Sequence, residues 1–153
     1  MIFTVTASRD FEGSPEAVFA AWLDPARRAR FETPEGSGMR LAVLDTREGG
    51  HEEVAVGPEG AETGRMPTDI RVLRPPADGA PGLLVVHGTG VFGGAVAMTM
   101  QTAVTVAPRG TGARLTGTSQ IVAPGGQPTE AQVREGWEAM LDRFAADLSE
   151  HPA

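Results

Sequence analysis

Three histidines, His51, His87 and His151, are the side chains that titrate nearest neutrality in this sequence. Their spacing does not make a metal site. A zinc centre draws three or four ligands from Cys, His and carboxylates, and the chain has no cysteine. His151 is the third residue from the end and reads as solvated. His51 precedes Glu52 and Glu53 on what reads as a strand, where neighbouring side chains point to opposite faces. No metal and no cofactor are expected. His87 closes the apolar run Leu83-Leu84-Val85-Val86 and is placed to act as a general base or hydrogen-bond partner toward a ligand. Asp69 is the only other plausible acid–base group. Ser, His and Asp all occur, but no Gly-x-Ser-x-Gly elbow does, so a hydrolase triad has no support. All thirteen basic residues are arginine, and the missing lysine removes Schiff-base chemistry and the phosphate-loop lysine. Gly88-Thr89-Gly90-Val91-Phe92-Gly93 has the letters of a dinucleotide fingerprint. The residues after it continue as a strand, and the fingerprint needs a helix N-terminus there. The segment reads instead as a flexible loop gating a cavity.

The elements that must carry these residues fit one domain of 153 residues, spanning 1–153. Apolar residues make up 41% and the net charge is −7. An acidic balance argues against a nucleic-acid or anionic-membrane partner, both of which need clustered positive charge. Met1 to Ala7 lacks the pattern of a signal peptide, and no apolar run approaches the ~20 residues of a membrane helix. A cytoplasmic protein, monomer or homodimer, is expected.

Ile2 to Ser8 alternates as a strand. Ser14-Pro15-Glu16 and Asp24-Pro25 each place an N-cap before a proline at the first helical position, predicting two short helices. Strands then follow at Met39–Leu44, Glu52–Val56, Glu62–Arg74, Leu83–His87, Val96–Ala107 and Ala113–Val122. Thr129 with Gln132 makes a capping box. Val133, Trp137, Met140, Leu141, Phe144 and Leu148 form the apolar stripe of a long C-terminal helix. Gly136 interrupts it, which predicts a close approach to its backbone. The order implies an α+β fold: a curved antiparallel sheet of about six to seven strands around the C-terminal helix, with a cavity between them.

Arg9-Asp10-Phe11 followed by Ser14 to Pro25, then Pro34-Glu35-Gly36, then Gly110, Gly112 and Arg114-Leu115-Thr116, then Gly136-Trp137 stand in this order along the chain. They resemble, in turn, the opening motif, the loop after the helix pair, the penultimate turn with the last strand, and the glycine-tryptophan pair of the C-terminal helix in the AHSA1-like branch of the START/Bet v 1 (SRPBCC) superfamily. That branch includes the Hsp90-ATPase-activator homologues and calicheamicin-resistance-like proteins. The resemblance implies a helix-grip fold with an internal ligand cavity. Near the end of the last strand the family commonly carries an aromatic residue and often a histidine, where this chain has Gly117, Thr118 and Ser119, which predicts a roomier or differently shaped pocket.

The expected function is binding of a small hydrophobic molecule in that cavity, without catalysis. The alternatives are a polyketide-cyclase-like enzyme using His87 or Asp69, and an Hsp90-type co-chaperone. The predicted cavity residues are Trp22, Phe31, Met39, Met66, His87, Phe92, Met98, Met100, Trp137 and Leu141, since methionine fills irregular space and adapts to varied apolar ligands. No catalytic residue is assigned.

Overall fold

Capping and proline chemistry set both short helices. In the computed structural model, which describes residues 1–152, β1 (Ile2–Phe11) leads into α1 (Pro15–Leu23) and α2 (Pro25–Phe31). Ser14 Oγ accepts the Ala17 N–H at 3.1 Å, and Asp24 Oδ1 accepts the Arg27 N–H at 2.9 Å. Each contact satisfies one of the N–H groups that a helix start leaves orphaned.

The strands β2 (Met39–Leu44), β3 (His51–Val56), β4 (Gly64–Arg74), β5 (Gly82–Phe92), β6 (Ala95–Arg109) and β7 (Gly112–Val122) follow as a meander. The chain closes with α3 (Glu130–Glu150). The sheet order is β1-β7-β6-β5-β4-β3-β2, with every pair antiparallel. This is the predicted helix-grip architecture, with seven strands.

Alternation sets the inner face. On β1 it is Phe3, Val5 and Ala7; on β7 it is Ala113, Leu115, Gly117, Ser119 and Ile121, all buried. The α3 stripe presses onto this face with Trp137, Leu141 and Phe144 buried, and Val133, Met140 and Leu148 partly so. Its start carries the predicted capping box, the Gln132 N–H reaching Thr129 Oγ1 at 3.3 Å and the Thr129 N–H reaching Gln132 Oε1 at 2.8 Å. The aromatics interlock. Trp22 stacks on Phe31 at 4.9 Å and lies parallel to Trp137 at 6.3 Å, while Phe144 meets Trp22 edge-on at 5.0 Å.

Glycine is where the sequence reading needs correction. The segment Gly88–Gly93 is not a loop; β5 runs unbroken to Phe92. Gly88 and Gly90 leave room on the inner face for methionines from β6. A Cβ on Gly88 would meet Met100 Cε at 2.8 Å, and one on Gly90 would meet Met98 Cγ at 3.1 Å. Glycine in a strand often marks such an approach. The real turn is Gly93-Gly94, both at positive φ (57° and 78°), as a two-residue hairpin loop requires.

Gly136 is also not a close-approach site: nothing lies within 4 Å of a Cβ built there. The close approach is at Gly117, where a Cβ would fall 2.2 Å from Trp137 Cη2. The small residues of the last strand therefore do not widen a pocket. The Trp137 ring fills the space over Gly117, and its Nε1–H donates to Ser119 Oγ at 3.0 Å, while Thr118 is only half-buried and meets Thr6 on β1.

Candidate ligand-binding site

The helices cover only part of the sheet. α3 packs on β1 and α2, and α1 on β5, β6 and β7; among the described residues no helix packs broadly on β2, β3 or β4. The inner face of those strands is left half-buried. Two cross-strand rows cross it. One is Leu41, Val54 and Met66; the other is Leu44, Glu52, Thr68, Gly88 and Met100. Between these rows and α2 lies a pocket of about 90 Å³. Its walls are Leu41, Val54, Met66 and Met100, and Arg28, Glu32, Glu52 and Thr68 complete its polar side.

The polar side is built around Arg28, buried on α2. Its Nε–H donates to Glu32 Oε2 at 2.7 Å, one turn further along, at the C-cap of the same helix. Its Nη1 donates to Glu52 Oε1 at 3.0 Å, and its Nη2 reaches Glu52 Oε2 at 2.7 Å. Thr46 Oγ1 also donates to Glu52 Oε1, at 2.6 Å. Burial alone would lower the Arg28 pKa, but the two carboxylates reverse this and hold it above its ordinary value.

A larger groove of about 540 Å³ lies on the opposite face of the sheet. A polar row crosses it. His51 Nδ1–H donates to Asp69 Oδ1 at 2.9 Å, His87 Nε2–H to Gln101 Oε1 at 2.8 Å, and Gln101 Nε2 to Gln120 Oε1 at 3.4 Å. The bond to Asp69 raises the His51 pKa and lowers that of Asp69. His87 and Asp69 thus face away from the helices. The expectation that His87 lines the inner cavity is corrected, and with it the idea that this pair could serve chemistry there.

Sheet, helix pair and final helix occur together in proteins of known sequence and structure. The family described as Activator of Hsp90 ATPase homolog 1-like protein matches residues 12–149. The chain belongs to this AHSA1 family. Among curated protein sequences, none matches it significantly. The crystal structure of the Mll3558 protein from Rhizobium loti is similar to this AHSA1-family domain at 28% identity and a TM-score of 0.81, covering 97% of this chain and 98% of that one. DynU16, described as a protein of the dynemicin biosynthetic locus, superposes with a TM-score of 0.67 at 19% identity, covering 95% of this chain and 47% of that one. A norcoclaurine synthase of Thalictrum flavumn, in complex with a transition-state analogue, gives 0.68 at 12% identity, covering 100% and 98%. These last two likenesses speak to fold alone.

In this AHSA1-family domain the predicted cavity residues separate into groups. Met66 and Met100 line the inner pocket. Met98 lies beside it, over Gly90, and Phe92 covers Gly64 with its ring while staying 40% exposed. Met39 sits half-buried on β2, opposite Val56. Trp22, Phe31, Trp137 and Leu141 are packed into the core, at most 7% exposed. Sequence reading missed Arg28, Glu32, Glu52, Leu41, Val54 and Thr68. A signal existed for three of them: Arg28 and Glu32 stand four apart on a helix, and Glu52 shares a strand face with Val54.

Proposed function

We propose that this domain binds a small, mainly apolar molecule at the pocket between α2 and the β2–β4 face, and does so without catalysis. The observation that carries this reading is the row of half-buried aliphatic and methionine side chains on which, among the described residues, no helix packs broadly. A half-buried apolar face on one side of a sheet calls for a partner. At about 90 Å³ the pocket is smaller than a typical ligand site of ~300–1,000 Å³. Met66 and Met100 supply the missing space, because unbranched thioether chains change rotamer readily and conform to what they meet. A binder suits the site better than an enzyme. His87 and Asp69 stand on the outer face, and Glu52 is held by Arg28 and Thr46.

Methionine methyl resonances test the proposal. Titrating the ¹³C-methyl-methionine protein with octanol should shift the Met66 and Met100 signals saturably, leaving Met1 unmoved. Filling the pocket with Leu41→Trp should remove the response without unfolding the domain. If Met66 and Met100 stay in place through a broad apolar library, the reading is wrong.

A further inference from the structure

We infer that the inner pocket selects cations: its ligand is an apolar molecule ending in a positively charged group such as an ammonium. The inference rests on the binding reading above and adds the charge class. The pocket sets one guanidinium against two carboxylates. Every nitrogen of Arg28 already points at one of them: Nε at Glu32, Nη1 at Glu52, and Nη2 at both, 3.3 Å from Glu32 Oε1 and 2.7 Å from Glu52 Oε2. The arginine therefore has little left to offer an anionic ligand. The carboxylates retain unused acceptor positions and one surplus negative charge. Among the described residues lining the pocket, Arg28 is the only cation. Glu53, also at the rim, is faced by Arg65 at 3.5 Å and by His51 at 3.8 Å, so it adds little to the imbalance.

Glu32 is the group best placed to meet a ligand. Its side chain is 27% exposed, against 9% for Glu52 and 10% for Arg28. An ammonium entering along Leu41, Val54 and Met66 reaches Glu32 while its tail stays on the apolar wall. A carboxylate in the same pose would face like charge.

The test compares octylammonium, octanol and octanoate, which share one tail. The expected order is octylammonium, octanol, octanoate. The ammonium should bind roughly two- to fivefold tighter than the alcohol, the scale of one ion pair at a partly exposed carboxylate, about 0.4–1 kcal/mol. Added salt should weaken the ammonium and spare the alcohol. Glu32→Gln should bring ammonium and alcohol to equal affinity. Equal binding of all three by the native protein, or a preference for octanoate, overturns the cation assignment and leaves the apolar-binder reading standing. Binding of none overturns both.

Discussion

Gly117 is a position where close side-chain packing in the core can be measured. Adding one methyl there, Gly117→Ala, places a Cβ at 2.2, 2.4 and 2.7 Å from the Trp137 atoms Cη2, Cζ3 and Cζ2. These belong to a rigid ring with little freedom to retreat. It is 6% exposed, lies parallel to Trp22 at 6.3 Å, and is tethered through its Nε1–H to Ser119 Oγ at 3.0 Å. Ser119 is itself held by Thr102 at 2.8 Å. Overpacking of a filled core costs about 1–3 kcal/mol, and a clash with three ring carbons belongs near the upper end. The alanine recovers about 0.4–1 kcal/mol by restricting the unfolded chain. The net expectation is a loss of about 2 kcal/mol, or roughly 4–8 °C in Tm for a chain of this size.

Urea unfolding followed by far-UV circular dichroism measures it. Trp137→Phe removes the outer edge of the ring, so the double variant should lose at least about 1 kcal/mol less than the sum of the single losses. The control is Gly136→Ala, at the exposed helix glycine with nothing near its Cβ, which should gain about 1 kcal/mol. If Gly117→Ala lies within about 0.5 kcal/mol of wild type, or if the two changes add, the ring does not occupy the space over Gly117.

Two electrostatic predictions follow. Asp147 on α3 is 2% exposed and accepts from Arg27 Nη1 at 2.9 Å and from Arg30 Nε, tying α2 to α3. Burial would push its pKa up, but the hydrogen bonds from Arg30 and Arg27 outweigh this and hold it below the usual carboxylate range. Asp147→Asn should therefore cost about 2–3 kcal/mol near neutral pH, below the full value of a buried pair because Arg30 is 44% exposed. A group with a lowered folded pKa contributes stability above its unfolded value, ~3.9, and loses it as pH falls through the folded value. The gap between native and Asp147→Asn melting temperatures should hold down to about pH 4 and close below it; a gap that does not depend on pH refutes the ion pair. On the outer face, His51 is raised by its bond to Asp69, so its NMR titration should lie above ~6.5 and fall back in Asp69→Asn. Any stability this pair adds is complete below ~6.5 and fades as pH rises through the folded value.

The architecture was legible because its signals are local. Ser14-Pro15, Asp24-Pro25 and Thr129 with Gln132 each act within one helical turn, and each cap forms. The α3 stripe and the alternation of β6 and β7 depend only on the periods of helix and strand. The errors fall where a residue's meaning depends on its cross-strand neighbour. Gly88 and Gly90 look like loop residues until Met100 and Met98 are set opposite them. Gly117 looks like spare volume until Trp137, twenty residues on, is laid over it.

The site was harder to read than the fold for the same reason. In Leu83-Leu84-Val85-Val86 every residue is apolar, so the run gives an apolar side chain to each face and says nothing about where His87 points. Pairing decides it: His87 stands opposite Asp69 and Gln101, and the Gln101 side chain meets it on the outer face. The same parity that sends His51 outward sends Glu52 inward, to a helix residue 24 positions earlier. A carboxylate on a buried face is costly unless paired, so Glu52 required an arginine from the element covering that end of the sheet. Arg28 was already matched within its own helix by Glu32. Answering the buried charge thus left two carboxylates on one guanidinium, beside the stretch of sheet where α1 and α3 do not reach. The surplus negative charge and the uncovered apolar wall arise together from how this sheet is roofed, and together they define an amphipathic cation as the molecule that would complete it.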